Sequence, residues 1–155
     1  METVYQISFL PSFEQVKVLL IFSVLGPAAL LYAYKNKDYA KRRFTIFWGG
    51  TVSITAPLIL LYLIINHVST YMSFQSKEFE VIKGKVSVLR TQPKEGHAPG
   101  DLIKIADREI EIDYYVNSPC YHQTISNGGV LQAGKLVALY VSNNCILKVE
   151  VSKES

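Results

Sequence analysis

Two stretches of this chain carry no charged side chain, and a short basic segment separates them. Residues 18–34 read VLLIFSVLGPAALLYAY, and residues 44–68 read FTIFWGGTVSITAPLILLYLIINHV. About 20 apolar residues in a helix cross the roughly 30 Å of hydrocarbon in a bilayer. Both runs are long enough, the first with help from its flanks. A helix on the surface of a water-soluble domain keeps a polar face, and neither run has one. They are read as two transmembrane helices, about 16–34 and 44–68, which makes the lipid bilayer the first expected partner.

The connecting segment 35–43, KNKDYAKRR, sets the orientation. It holds Lys35, Lys37, Lys41, Arg42 and Arg43 against the single acid Asp38. Positive residues in short loops stay cytoplasmic, so the loop is expected inside and both termini outside. A cleaved signal peptide would have a basic start and a small-residue cleavage site, whereas this N-terminus is acidic and aromatic, so the first helix is expected to be retained. Gly26-Pro27 and Pro57 predict kinks, and Gly49, Gly50 and Ser53 predict close packing within a hairpin. Asn66 and His67 are expected at the outer, water-facing end. No Asp, Glu, Lys or Arg lies deep in either run, which disfavours an ion or proton transporter.

Charge divides the chain into two regions, 1–74 and 75–155. The first holds six of the 16 basic and three of the 13 acidic residues, so the second has ten of each and the net +3 sits in the first. A composition 49% hydrophobic and 19% charged excludes a disordered chain. From about Lys77 the apolar period becomes two. Phe79 and Val81 alternate with Glu78 and Glu80, and Val86 and Val88 resume in the opposite phase, which predicts a bulge near Gly84. Residues 102–106 and 109–115 predict a hairpin, with Ile110, Ile112 and Tyr114 facing one way. A long connection leads to residues 135–142, a tight Asn143-Asn144 turn and a last strand over 145–151. Five strands with a bent first one predict an OB-like Greek-key β-barrel; an SH3-like barrel or a small sandwich would read similarly. The expected fold is therefore an α+β membrane protein, a two-helix transmembrane hairpin followed by a small five-stranded OB-like barrel.

This layout resembles that of the NfeD-like membrane proteins, whose partners are stomatin- and flotillin-type scaffold proteins. The segments GHAPGD, DYYVNSP and CYHQTISNGG look like a module of small two-span bacterial inner-membrane proteins with an OB-like C-terminal domain. The resemblance implies a multi-pass protein of the bacterial inner membrane. It carries no site residue and no cofactor onto this chain.

Candidate chemistry concentrates in the second region. Cys120 and Cys145 lie in the part expected outside the cytoplasm, where two thiols tend to pair; buried or free thiols are the alternative. Cys120, His122 and His97 contain only a C-x-H spacing, too little for a metal site or for a nucleophile with its base and orienter. Glu109, Glu111 and Asp113 share one strand face and read as a solvent face. Tyr114, Tyr115, Tyr121 and His122, flanked by Pro119 and Gly128-Gly129, form the most distinctive cluster and are the expected binding residues. A balanced charge with no basic stripe excludes nucleic acid as a partner. The expectation is a non-enzymatic membrane protein, without metal or cofactor, whose 116–134 loop contacts an envelope or membrane protein. The alternative is a tethered module that binds a small envelope ligand such as a glycan fragment.

Overall fold

In the computed structural model, which describes residues 1–95 and 98–152, the chain forms two compact units. One is Leu10–Val68, and the other joins Met1–Phe9 to the chain from Ser69 onward. The sequence boundary at residue 74 had assigned the whole N-terminus to the helices; in the structure its first nine residues belong with the sheet.

The helical unit contains α1 (Phe13–Lys35) and most of α2 (Arg42–Gln75). Both are long and apolar enough to cross a membrane, and both run on through their prolines, Pro27 and Pro57. Small residues form their seam. A Cβ on Gly26 would lie 2.8 Å from the Ser53 backbone nitrogen, and one on Gly49 would lie 3.1 Å from the Gly26 carbonyl oxygen. Gly50, expected in the same seam, faces open space. Phe22 and Trp48 meet edge to face at 6.4 Å. Arg42 is half-buried and donates from Nε to the Ala33 carbonyl at 3.1 Å, satisfying a helix-end acceptor. Lys35, Lys37, Lys41 and Arg43 are exposed. His67, expected to face water, is buried.

The second unit is a six-stranded antiparallel sheet. Its strands are β1 (Glu2–Gln6), β2 (Glu80–Arg90), β3 (Asp101–Ile105), β4 (Arg108–Ile112), β5 (Leu136–Ser142) and β6 (Cys145–Val151). Their order across the sheet is β1-β6-β5-β2-β3-β4. The inward row of β2 is Ile82, Gly84, Val86 and Val88, in one unbroken phase. The bulge expected near Gly84 is therefore absent there, because Ile82 rather than Val81 faces the core. Gly84 leaves the space that Ile105 fills, since a Cβ would lie 3.1 Å from its Cγ2. The register shift lies between Val88 and Arg90 instead, and β2 changes partner along its length, pairing with β5 over 80–85 and with β3 over 86–90.

Ile103, Ile105, Val137, Leu139 and Val149 are fully covered and form the centre of the core, each contributing about 1.5–3 kcal/mol of burial. Asn143 and Asn144 adopt φ of 49° and 63°, the left-handed pair that a two-residue hairpin turn requires.

The expected barrel does not form. Closing it would require the two outer strands of the C-terminal five, β4 and β6, to pair. One edge of β6 bonds β5 and the other bonds β1, from Glu2↔Val151 to Gln6↔Lys148. The same edge continues through Ile7 N–H to the Leu147 carbonyl and Tyr121 N–H to the Ile146 carbonyl, 2.8 and 2.9 Å. With both edges of β6 occupied, β4 stays at the margin and the sheet stays open.

Candidate functional site

The long segment between β4 and β5 lies beside the open margin, held there by a buried polar cluster that no local sequence signal announced. Gln92 and Asp101 are buried, and a buried polar group must find partners or cost stability. Asp101 accepts from Gln92 N–H and Ile125 N–H, both at 2.6 Å. The Gln92 side chain donates to Asp113 at 2.9 Å and accepts from Tyr114 N–H at 3.1 Å. Ser126 donates to the Gln92 carbonyl at 2.7 Å. Gly100 and Gly129 pass too close to backbone for any side chain, 2.4 Å from the Ile112 oxygen and 2.3 Å from the Gln123 oxygen for an added Cβ. Much of the GHAPGD, DYYVNSP and CYHQTISNGG pattern is therefore scaffold. Asp113, grouped with Glu109 and Glu111 by alternation, lies beyond the end of β4 and serves this cluster.

Cys120 and Cys145 form a disulfide, with their Cα atoms 5.1 Å apart, which ties the loop to the start of β6. The Cys120 sulfur is thereby unavailable as a metal ligand or nucleophile, and His97 lies outside the described residues. Among the described residues no group of three or more His, Cys, Asp or Glu converges on a point.

The four expected binding residues separate into two classes. Tyr121 is a core residue, 4% exposed. Its ring meets Tyr5 edge to face at 5.2 Å, and its hydroxyl accepts from Val130 N–H at 2.9 Å. Burial raises the phenol pKa of Tyr121 and pushes that of Tyr5 up to about 12, with the neighbouring Tyr121 adding to the latter. The expectation of Tyr121 as a surface contact is corrected: a loop without periodicity gives no sign of which side chains face inward.

Tyr114 and Tyr115 are instead 41% and 47% exposed, next to Val116 at 52%. Tyr114 too departs from expectation, because the strand ends at Ile112 and the chain turns before it can join the inward row. The two rings meet edge to face at 5.4 Å, and the Tyr115 hydroxyl donates to the Lys94 carbonyl at 2.9 Å. His122 lies 6.4 Å from the Tyr114 ring, its Nδ1 3.1 Å from the Cys120 carbonyl.

A cleft of about 360 Å³ opens at this margin, lined among others by Glu111, Ile112, Cys120, His122 and Ile146. A larger hollow, about 690 Å³, lies by Glu80, Arg108 and Asn143. Its charged lining is Glu78, Glu80 and Arg108, the last two bonded to each other at 2.7 Å. The margin therefore presents an exposed aromatic pair beside a small mixed cleft. No family model, no curated protein and no solved structure matches the chain.

Proposed function

We propose that this chain is an integral protein of a bacterial inner membrane, with its helical hairpin as anchor, and that its sheet domain, outside the cytoplasm, is a protein-interaction module. The observation that carries the reading is the pairing of β1 with β6. These strands flank both apolar helices in the chain yet share one sheet, which supports placing both on one side of the membrane. The helices between them then cross an even number of times. Two crossings account for apolar side chains exposed all along both helices, among them Val24, Leu31, Phe47 and Ile54, since lipid is the solvent in which such a surface is stable. The exposed basic residues between the helices favour the cytoplasm for that loop, and the disulfide favours an oxidising compartment for the sheet.

A protein partner is favoured over a small ligand by where the tyrosines lie. Tyr115 stands on the exposed surface with Tyr114 and Val116, and rigid aromatic side chains of this kind anchor protein interfaces. A small ligand would call for them inside a concave pocket.

A photocrosslinking amino acid at position 115 of the full-length protein in intact cells tests this, with adducts read by mass spectrometry. The expected result is a discrete protein adduct. Lipid or glycan adducts alone, or none from a folded protein, would overturn the interaction reading. Alkaline phosphatase fused after Ser155 is expected to be active, and an inactive fusion would overturn the orientation.

A further inference from the structure

We propose that the partner contributes an extended, basic segment that adds to the free edge of β4 as a seventh strand. This rests on the interaction reading above and names the chemistry of that partner. β3 and β4 are joined by the two-residue turn Ala106-Asp107, closed by the pair Ile105↔Arg108. In such a hairpin the closing pair exchanges hydrogen bonds, and bonded pairs alternate from there. Arg108, Ile110 and Ile112 therefore bond inward to β3, and Glu109 and Glu111 direct their N–H and C=O groups outward. Among the described residues, no backbone group outside the hairpin bonds β4. An edge of this kind is a ready template for strand addition.

The side chains select the occupant. Glu109 and Glu111 are exposed on the outer face, while Ile110 and Ile112 point into the core. Glu111 pairs with Arg90 at 2.7 Å, whereas Glu109 has no ion-pair partner among the described residues. A second copy pairing antiparallel about Ile110 would set Glu109 opposite Glu111 twice, and like charges directly opposite are destabilising. A segment alternating basic and apolar residues instead places its cations opposite the two glutamates. Its apolar side chains then fall beside Ile110 and Ile112, next to the cleft lined by Ile112 and Ile146. Charge complementarity thus favours a basic strand over self-pairing.

The test uses the full-length protein in detergent micelles. The probe is a blocked heptapeptide of alternating lysine and valine, with a glutamate-valine peptide as its counterpart. Amide hydrogen exchange at Glu109 and Glu111 is expected to slow about tenfold with the lysine peptide only. Glu109→Pro removes an N–H that the fold does not use, and proline is tolerated on edge strands; binding is expected to weaken by about tenfold or more, the cost of an unmet hydrogen bond. Glu109→Lys leaves the backbone intact and is expected to shift preference toward the glutamate peptide, and it decides alone if the proline variant does not fold. Equal protection by both peptides, protection by neither, or concentration-dependent protection without peptide would each overturn the proposal, the last in favour of a second copy. An adduct from position 115 that persists undiminished in Glu109→Pro and Glu109→Lys cells would overturn strand addition and leave the interaction module standing. Protection by the lysine peptide without any adduct at position 115 would keep the edge as a strand acceptor while overturning the interaction reading on which a protein partner rests.

Discussion

The helical unit and the sheet unit use opposite means to specify a structure. In the charge-free runs of α1 and α2 most side chains are apolar, so hydrophobicity alone does not say how the helices meet. Their register comes from the absence of side chains, with Gly26 and Gly49 letting backbones approach. In the sheet, alternation places Ile103, Leu139 and Val149 inside, but the loop beside it is fixed by polar groups, Gln92 and Asp101. In the lipid proposed for the helices, an apolar solvent would leave shape to do the specifying. In water, burial and hydrogen bonding share that role.

The widest test of this contrast is Tyr121→Ala. It removes a buried ring and orphans the Val130 N–H, so it is expected to cost about 3–5 kcal/mol. Tyr115→Ala is expected to stay within about 0.5 kcal/mol. Denaturant titration of the sheet in micelles measures both; equal effects would erase the distinction between core and surface tyrosines.

Next in size is an alkaline loss confined to the sheet. Tyr5 stays protonated to about pH 12 in the folded state, against about 10 unfolded. Its contribution is therefore complete below pH 10 and is lost as pH rises toward 12, by about 2–3 kcal/mol. Tyr5→Phe is expected to flatten most of that slope, as read by chemical denaturation across pH, and an unchanged slope would assign it elsewhere.

The helical seam is probed by Gly26→Ala. The added methyl meets Ser53 backbone and is expected to cost about 1–3 kcal/mol by overpacking. Gly50→Ala, in open space, is expected to be neutral or to gain up to about 1 kcal/mol. Thermal unfolding followed by helical circular dichroism separates the two, and equal costs would mean the seam is not where helix packing is decided.

Both helices were legible because a charge-free run needs no partner to be recognised, and their observed ends extend beyond the expected ones. The Asn143-Asn144 turn was legible for a similar reason, since its chemistry is local. The strand β1 was not. ETVYQ is short and lacks strict alternation, and its partner Lys148–Val151 lies at the other end of the chain. That omission also produced the expected barrel, because β1 occupies the edge that closure would need. Of the residues at the open margin, Tyr115 and His122 were singled out by composition. Gln92 and Asp101 were not, because partners as distant as Ser126 leave no spacing to read.

The β1–β6 pairing also has a consequence in time. β1 is synthesised first and β6 last. At about 5–20 residues per second, a chain of 155 residues keeps β1 waiting for roughly 8–30 s. For a chain inserting into a membrane, both helices must be threaded during that interval before the sheet can be finished. A chain with one helix stranded on the wrong side would hold β1 and β6 apart and expose an unfinished edge to quality control. For the membrane anchor proposed above, completing the sheet thus requires that both ends of the chain reach the same side.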